Sequence, residues 1–95
     1  MADQGTSRFT ILRRKQVQAL TGYSRSTVYL RISQGLFVRP VSLGARAVGF
    51  PAGDVEALNA ARIAGRSDAQ IRALVAKLEE ARASAEVWPS VERGR

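Results

Sequence analysis

The segment Leu20-Thr21-Gly22-Tyr23-Ser24 constrains the fold of this chain more than any other. It separates two short stretches of helical periodicity and leaves room only for a tight turn. Before it, a helix over about Arg14 to Leu20 places Val17 and Leu20 on one face at a spacing of three. Gly22 suits the left-handed cap that ends such a helix. Ser24 is a good N-cap for the next helix, because its hydroxyl can accept from the backbone N–H of Ser26 or Thr27. That second helix runs over 25–34, turns Val28 and Ile32 inward at a spacing of four, and stops at Gly35. The pattern is a helix-turn-helix.

The segment after Gly35 reads as a small β-hairpin. Two β-prone runs, Val41 to Leu43 and Ala47 to Phe50, flank Gly44-Ala45-Arg46 and leave a basic residue at the tip. Pro51 suits the first turn of a third helix reaching about Ala64, with Val55, Leu58 and Ile63 inward, and Gly65 ends it. Ser67-Asp68-Ala69-Gln70 is a capping-box pattern that opens a fourth helix. Ile71, Leu74, Val75 and Leu78 form its apolar stripe, which fades near Ala85. Phe9 to Leu12 is either a strand or a loop against the core. Residues 1–8 and 86–95 are polar or lack periodicity, and are expected to be frayed and disordered. The expected organisation is a flexible segment 1–8, a winged helix-turn-helix over 9–64, an amphipathic helix over 67–85 and a tail. The fold class is mainly α with a small hairpin.

Charge then separates the chain into halves. Between Asp3 and Asp54 there is no acidic residue, while Arg8, Arg13, Arg14, Lys15, Arg25, Arg31, Arg39 and Arg46 are basic. From Asp54 onward seven basic residues meet seven acidic ones, so the formal charge of +7 resides in the first half. An ordinary solvated face mixes signs, and a one-sided excess is an electrostatic footprint for a polyanion. The chain contains neither cysteine nor histidine. That excludes zinc sites built on those ligands and Ser-His or Cys-His catalytic pairs. Without clustered carboxylates either, no enzyme and no cofactor is expected. No apolar run approaches a membrane span of roughly 18 residues, and the polar N-terminus has no signal-peptide core. A cytoplasmic location is expected.

The second helix of a helix-turn-helix can lie in a major groove with its N-terminal residues foremost. Its first turn here is Arg25-Ser26-Thr27. Arginine can grip guanine through two hydrogen bonds, and Ser and Thr can reach bases or phosphates. With Val28 and Ile32 inward, Ser26, Tyr29, Leu30 and Ser33 point away from the core, and Arg25 and Arg31 border that face. Arg14 and Lys15, with Arg13, crowd the start of the first helix as phosphate contacts, and Arg46 is placed on the wing to touch the DNA backbone. Each has a plainer reading. A capped helix pair occurs in many small helical proteins, Tyr29 can pack on the domain edge, Ser24 is a cap, and Arg39 is a solvated loop residue. Leu30 stands where a polar contact is expected. It can meet a thymine methyl, but packing on the wing or on another subunit is the favoured reading. The acid-free span and the basic hairpin are what tilt the whole toward DNA.

The residues Leu20-Thr21-Gly22, Ser24 to Tyr29, Gly35-Leu36-Phe37, Arg39-Pro40-Val41 and Gly44 to Pro51 resemble the AlpA-type phage and prophage regulators. That family is similar to excisionases and to the DNA-binding part of MerR-type regulators. The resemblance covers about residues 9–64, and Asn59 to Gly65 with Ser67 to Arg82 looks like the tail of one branch. It implies a transcriptional regulator or recombination accessory factor with base contacts on the 25–31 helix and a backbone contact at Arg46. Two departures are visible. Relatives often carry Tyr-Arg-Leu-Ile where this chain has Tyr29-Leu30-Arg31-Ile32, and tryptophan is frequent at Phe50. Double-stranded DNA is the expected partner, with a homo-oligomer on DNA and an integrase, recombinase or RNA polymerase as further candidates. The rival readings are a protein-interaction adaptor acting through helix 67–85 and an RNA binder. The lack of an aromatic stacking platform argues against single-stranded RNA.

Overall fold

A computed structural model describes residues 7–85. The turn at its centre forms because each flanking helix is terminated locally. The first helix, α1 (Arg14–Thr21), opens where the Arg13 N–H donates to Gln16 Oε1 at 2.8 Å. It closes at Gly22, whose φ of 78° lets its N–H return to the Gln18 carbonyl at 2.8 Å. Ser24 Oγ then accepts from the Thr27 N–H at 3.2 Å and starts α2 (Arg25–Ser33). Gly35, at φ 75°, ends that helix: its N–H donates to Ile32 and the Leu36 N–H donates to the Arg31 carbonyl. This pair of reversed bonds satisfies carbonyls the helix would otherwise leave open.

Of Phe9 to Leu12, only the last two residues form a strand, and Phe9 lies in a turn. β1 (Ile11–Leu12) pairs antiparallel with β3 (Val48–Pro51), with Leu12 opposite Phe50. The hairpin partner β2 (Val41–Ser42) lies on the other side of β3, giving the order β1-β3-β2. The wing is therefore one edge of a three-stranded sheet. Pro51 ends β3 opposite Ile11 and caps α3 (Ala52–Ile63) instead of standing in its first turn. A φ near −65° is compatible with both positions.

One core joins every layer. Val17 of α1, Val28 of α2, Phe50 of β3 and Val55 of α3 are fully buried, and so is Ile71 of α4 (Asp68–Ala85). Leu36, Phe37 and Val38 of the loop between α2 and β2 also belong to it, with the Phe37 ring 5.9 Å from that of Phe50. Ile63, expected inward, is 86% exposed. Five residues beyond Leu58, it lies about 140° around the helix from it; Ala61 takes the core-facing position. Leu20 is likewise exposed although Val17 is buried. The fourth helix folds back on the domain, with Ile71 and Val75 buried and Leu74 and Leu78 packed beside them. Residues 1–6 and the tail 86–95 lie outside the described residues.

Candidate nucleic-acid interface

The outer surface of α2 follows from which residues its core face consumes. Val28 is buried, Ile32 packs against the core, and Thr27 and Arg31 are half-buried. Arg25, Ser26, Tyr29, Leu30 and Ser33 remain exposed. At 100° per residue these five fall within an arc of about 140°. Three hydroxyls gather at its N-terminal end. Ser24 Oγ donates to Thr27 Oγ1 at 2.9 Å and lies 3.4 Å from Ser26 Oγ. Thr27 is thus part of the cap as well as of the candidate surface. Ser33 folds its hydroxyl back onto the Leu30 carbonyl at 2.7 Å.

The basic residues expected to hold phosphate differ in how they are held. Lys15 and Arg46 are exposed, Arg46 in the bend that joins β2 to β3. Arg14 is half-buried and donates to Gln18 Oε1 at 2.8 Å, which fixes its guanidinium along α1. Arg31 lies over the Tyr23 ring, 5.7 Å from its centroid, and its buried Nε has no hydrogen-bond partner. Tyr23 in turn meets Phe37 edge-on at 6.2 Å. The turn of the helix-turn-helix thereby supplies the platform for an arginine of α2.

Leu30 is 53% exposed and is not among the side chains packed on the core. Tyr29 is 42% exposed.

Two residues of structural consequence escape a reading of the sequence. Arg39 is not simply a solvated loop residue. Its backbone N–H donates to Glu79 Oε2 at 2.8 Å and its guanidinium pairs with Glu79 Oε1 at 3.1 Å. Arg72 of α4 donates from Nε to the Gln34 carbonyl at 2.8 Å, beside Gly35. The loop from α2 to the wing is therefore pinned to α4 at both ends. No local spacing could have announced these pairs, which join residues 38 and 40 positions apart. Burial pushes the Glu79 carboxyl up, but the Arg39 N–H and guanidinium, helped by Arg82, overcome this and leave it lowered.

Of the eight basic residues in the acid-free span, Arg39 alone forms an ion pair among the described residues. Asp54, the first acid after that span, is turned inward and holds Arg82 at 3.0 Å. The described residues contain no group of three or more His, Cys, Asp or Glu able to hold a metal ion. None of their helices is long and apolar enough to cross a membrane.

Residues 10–63, more than half of the chain, match the family described as Prophage CP4-57 regulatory protein (AlpA). The match begins just before β1 and ends with the last residue of α3. Over 55 residues the chain is 47% identical to the ORF88 protein of Enterobacteria phage P4, which is described as uncharacterized. That alignment covers 58% of this chain and 62% of the phage protein. No solved structure matches the chain significantly.

Proposed function

The chain belongs to the AlpA family of prophage regulatory proteins, and from that premise we propose that it acts by binding double-stranded DNA in a sequence-specific manner. The observation that carries this reading is the unpaired charge. Seven basic residues between Arg8 and Arg46 have no acidic partner among the described residues, and two of them, Arg25 and Arg31, stand on α2, whose outer face is solvent-exposed. In this reading α2 enters the major groove. Arg25, Ser26, Thr27 and Tyr29 read bases or seat the helix. Arg14, Lys15, Arg31 and Arg46 hold phosphates, with Arg46 carried there by the wing.

The same surface serves a transcriptional regulator and an excisionase-like accessory factor of a recombinase. Selection of bound duplexes from a random pool, followed by footprinting, separates them. One compact site indicates a promoter regulator; several phased sites beside a recombination core indicate excision. Phased sites would also call for a homo-oligomer on DNA. The reading itself is tested by salt. If about four phosphates are neutralised, log affinity falls with log salt at a slope near −3.6. A slope near zero overturns it. The adaptor reading through residues 67–85 is weighed down by the burial of Ile71 and Val75 in the core, with Leu74 and Leu78 packed against it.

A further inference from the structure

Leu30 is the one exposed aliphatic side chain on the outer face of α2. From the structure we infer that Leu30 is a specificity residue that packs on the C5 methyl of a thymine; this rests on the DNA-binding reading above. Three observations converge on it. Leu30 is 53% exposed and absent from the packed core, so no fold requirement accounts for a leucine there. Its neighbour on that face one turn on, Ser33, has its hydroxyl turned aside. Ser33 Oγ donates to the Leu30 carbonyl at 2.7 Å, while Ser26, one turn back, keeps its hydroxyl at the cap end of the face, 3.4 Å from Ser24 Oγ. The methyl groups of Leu30 therefore dominate the local surface. In the major groove the edges of unmodified base pairs offer one apolar group, the thymine methyl, among hydrogen-bond donors and acceptors. A leucine facing those polar atoms would strip water from them without replacing it. Against a methyl it gains apolar contact.

The test uses the full chain and a duplex selected from a random pool. Each thymine in that duplex is replaced in turn by uracil, which removes only the methyl, and binding is measured for the wild type and for Leu30→Ala. The expected result is one thymine per bound copy whose replacement weakens the wild type about fourfold, the effect of one buried methyl group. The same replacement should leave Leu30→Ala unchanged. A second arm replaces each cytosine by 5-methylcytosine. If affinity for the wild type rises there, and no uracil position separates the two proteins, the thymine assignment is overturned in favour of a methylated cytosine. A uracil scan that affects both proteins equally overturns the inference while leaving DNA binding intact. Failure to select any duplex overturns the DNA reading and the inference together. Circular dichroism of Leu30→Ala should match the wild type, since the side chain is not part of the packed core.

Discussion

The two halves of this chain carry nearly equal numbers of basic residues, eight before Asp54 and seven after it, but differ in the acids set against them. In the first half, seven of the eight have no acidic partner among the described residues, and the acid that holds Arg39 comes from the other half. In the second half, Arg82 is bound to Asp54 and Arg62 to Asp68, while Arg66, Arg72 and Lys77 have no acidic partner among the described residues. The difference shows that net charge is the coarser signal. What distinguishes the first half, the proposed reading half, is that it holds no acid of its own among the described residues. What distinguishes the second is that part of its charge is spent internally, with Asp54 and Glu79 fastening α4 to α3 and to the wing loop.

The largest effect that can probe this contrast lies in the scaffold. Ile71 is fully buried, in the same core as Val28 and Phe50. Ile71→Ala should cost about 2–5 kcal/mol, because the cavity cannot close around a core this small. Urea unfolding measures it. A loss below about 1 kcal/mol would make α4 an appendage rather than part of the domain. For the same reason, deleting residues from 67 onward would remove part of the core along with any partner-binding surface.

The Asp54 pair comes next. Its side chains are 13% and 22% exposed, between a buried and a surface ion pair. Removing the carboxylate in Asp54→Ala leaves Arg82 without its partner and should destabilise by about 2 kcal/mol. Salt should screen this pair less than it screens DNA binding. If moderate salt removes the Asp54→Ala difference entirely, the pair behaves as an exposed one and the proposed brace is weak.

How much of this is legible in the sequence depends on distance along the chain. The turn is readable because Gly22 and Ser24 act on backbone groups within four residues of themselves. The hairpin is readable from its own turn. β1 stays undecided between strand and loop because its partner, β3, lies about 40 residues away and two residues carry little pattern. Ile63 is misplaced by equating hydrophobicity with inwardness at the end of a helix, where the phase has already drifted from the core. The Arg39–Glu79 and Arg72–Gln34 contacts have no signature at all. Packing on the wing or on another subunit is the favoured expectation for Leu30 because apolarity usually means packing, and its exposure is what makes it informative.

Arg25→Ala probes the reading half in the opposite direction. Arg25 is exposed and has no acid beside it among the described residues, so stability should stay within about 0.5 kcal/mol of the wild type. Affinity for a selected duplex should fall by about 1–3 kcal/mol, with discrimination relaxed at one base position. Competition between the selected duplex and its point variants measures both. An equal loss on every sequence would turn Arg25 from a base reader into a phosphate contact. A large loss of stability would erase the contrast between the halves.

The smallest effect sits on the contact that joins them. Glu79 is lowered below its ordinary range, with burial opposed and outweighed by the Arg39 N–H and guanidinium and by Arg82. Since the folded carboxyl releases its proton more readily than the unfolded one, its contribution is fully present above the ordinary glutamate range. It is lost as pH falls through that range and below it. Arg39 is 70% exposed at the pair, so Glu79→Gln should cost less than about 1 kcal/mol near neutral pH. Urea unfolding of both proteins at about pH 7 and about pH 3 should find that difference at the higher pH and lose it at the lower. A constant difference across both would mean that the carboxylate's charge is irrelevant and only its shape fills the site. Freed from Glu79, Arg39 would also join the unpaired set. A slightly tighter, more salt-dependent binding to unselected DNA should therefore accompany the loss of stability.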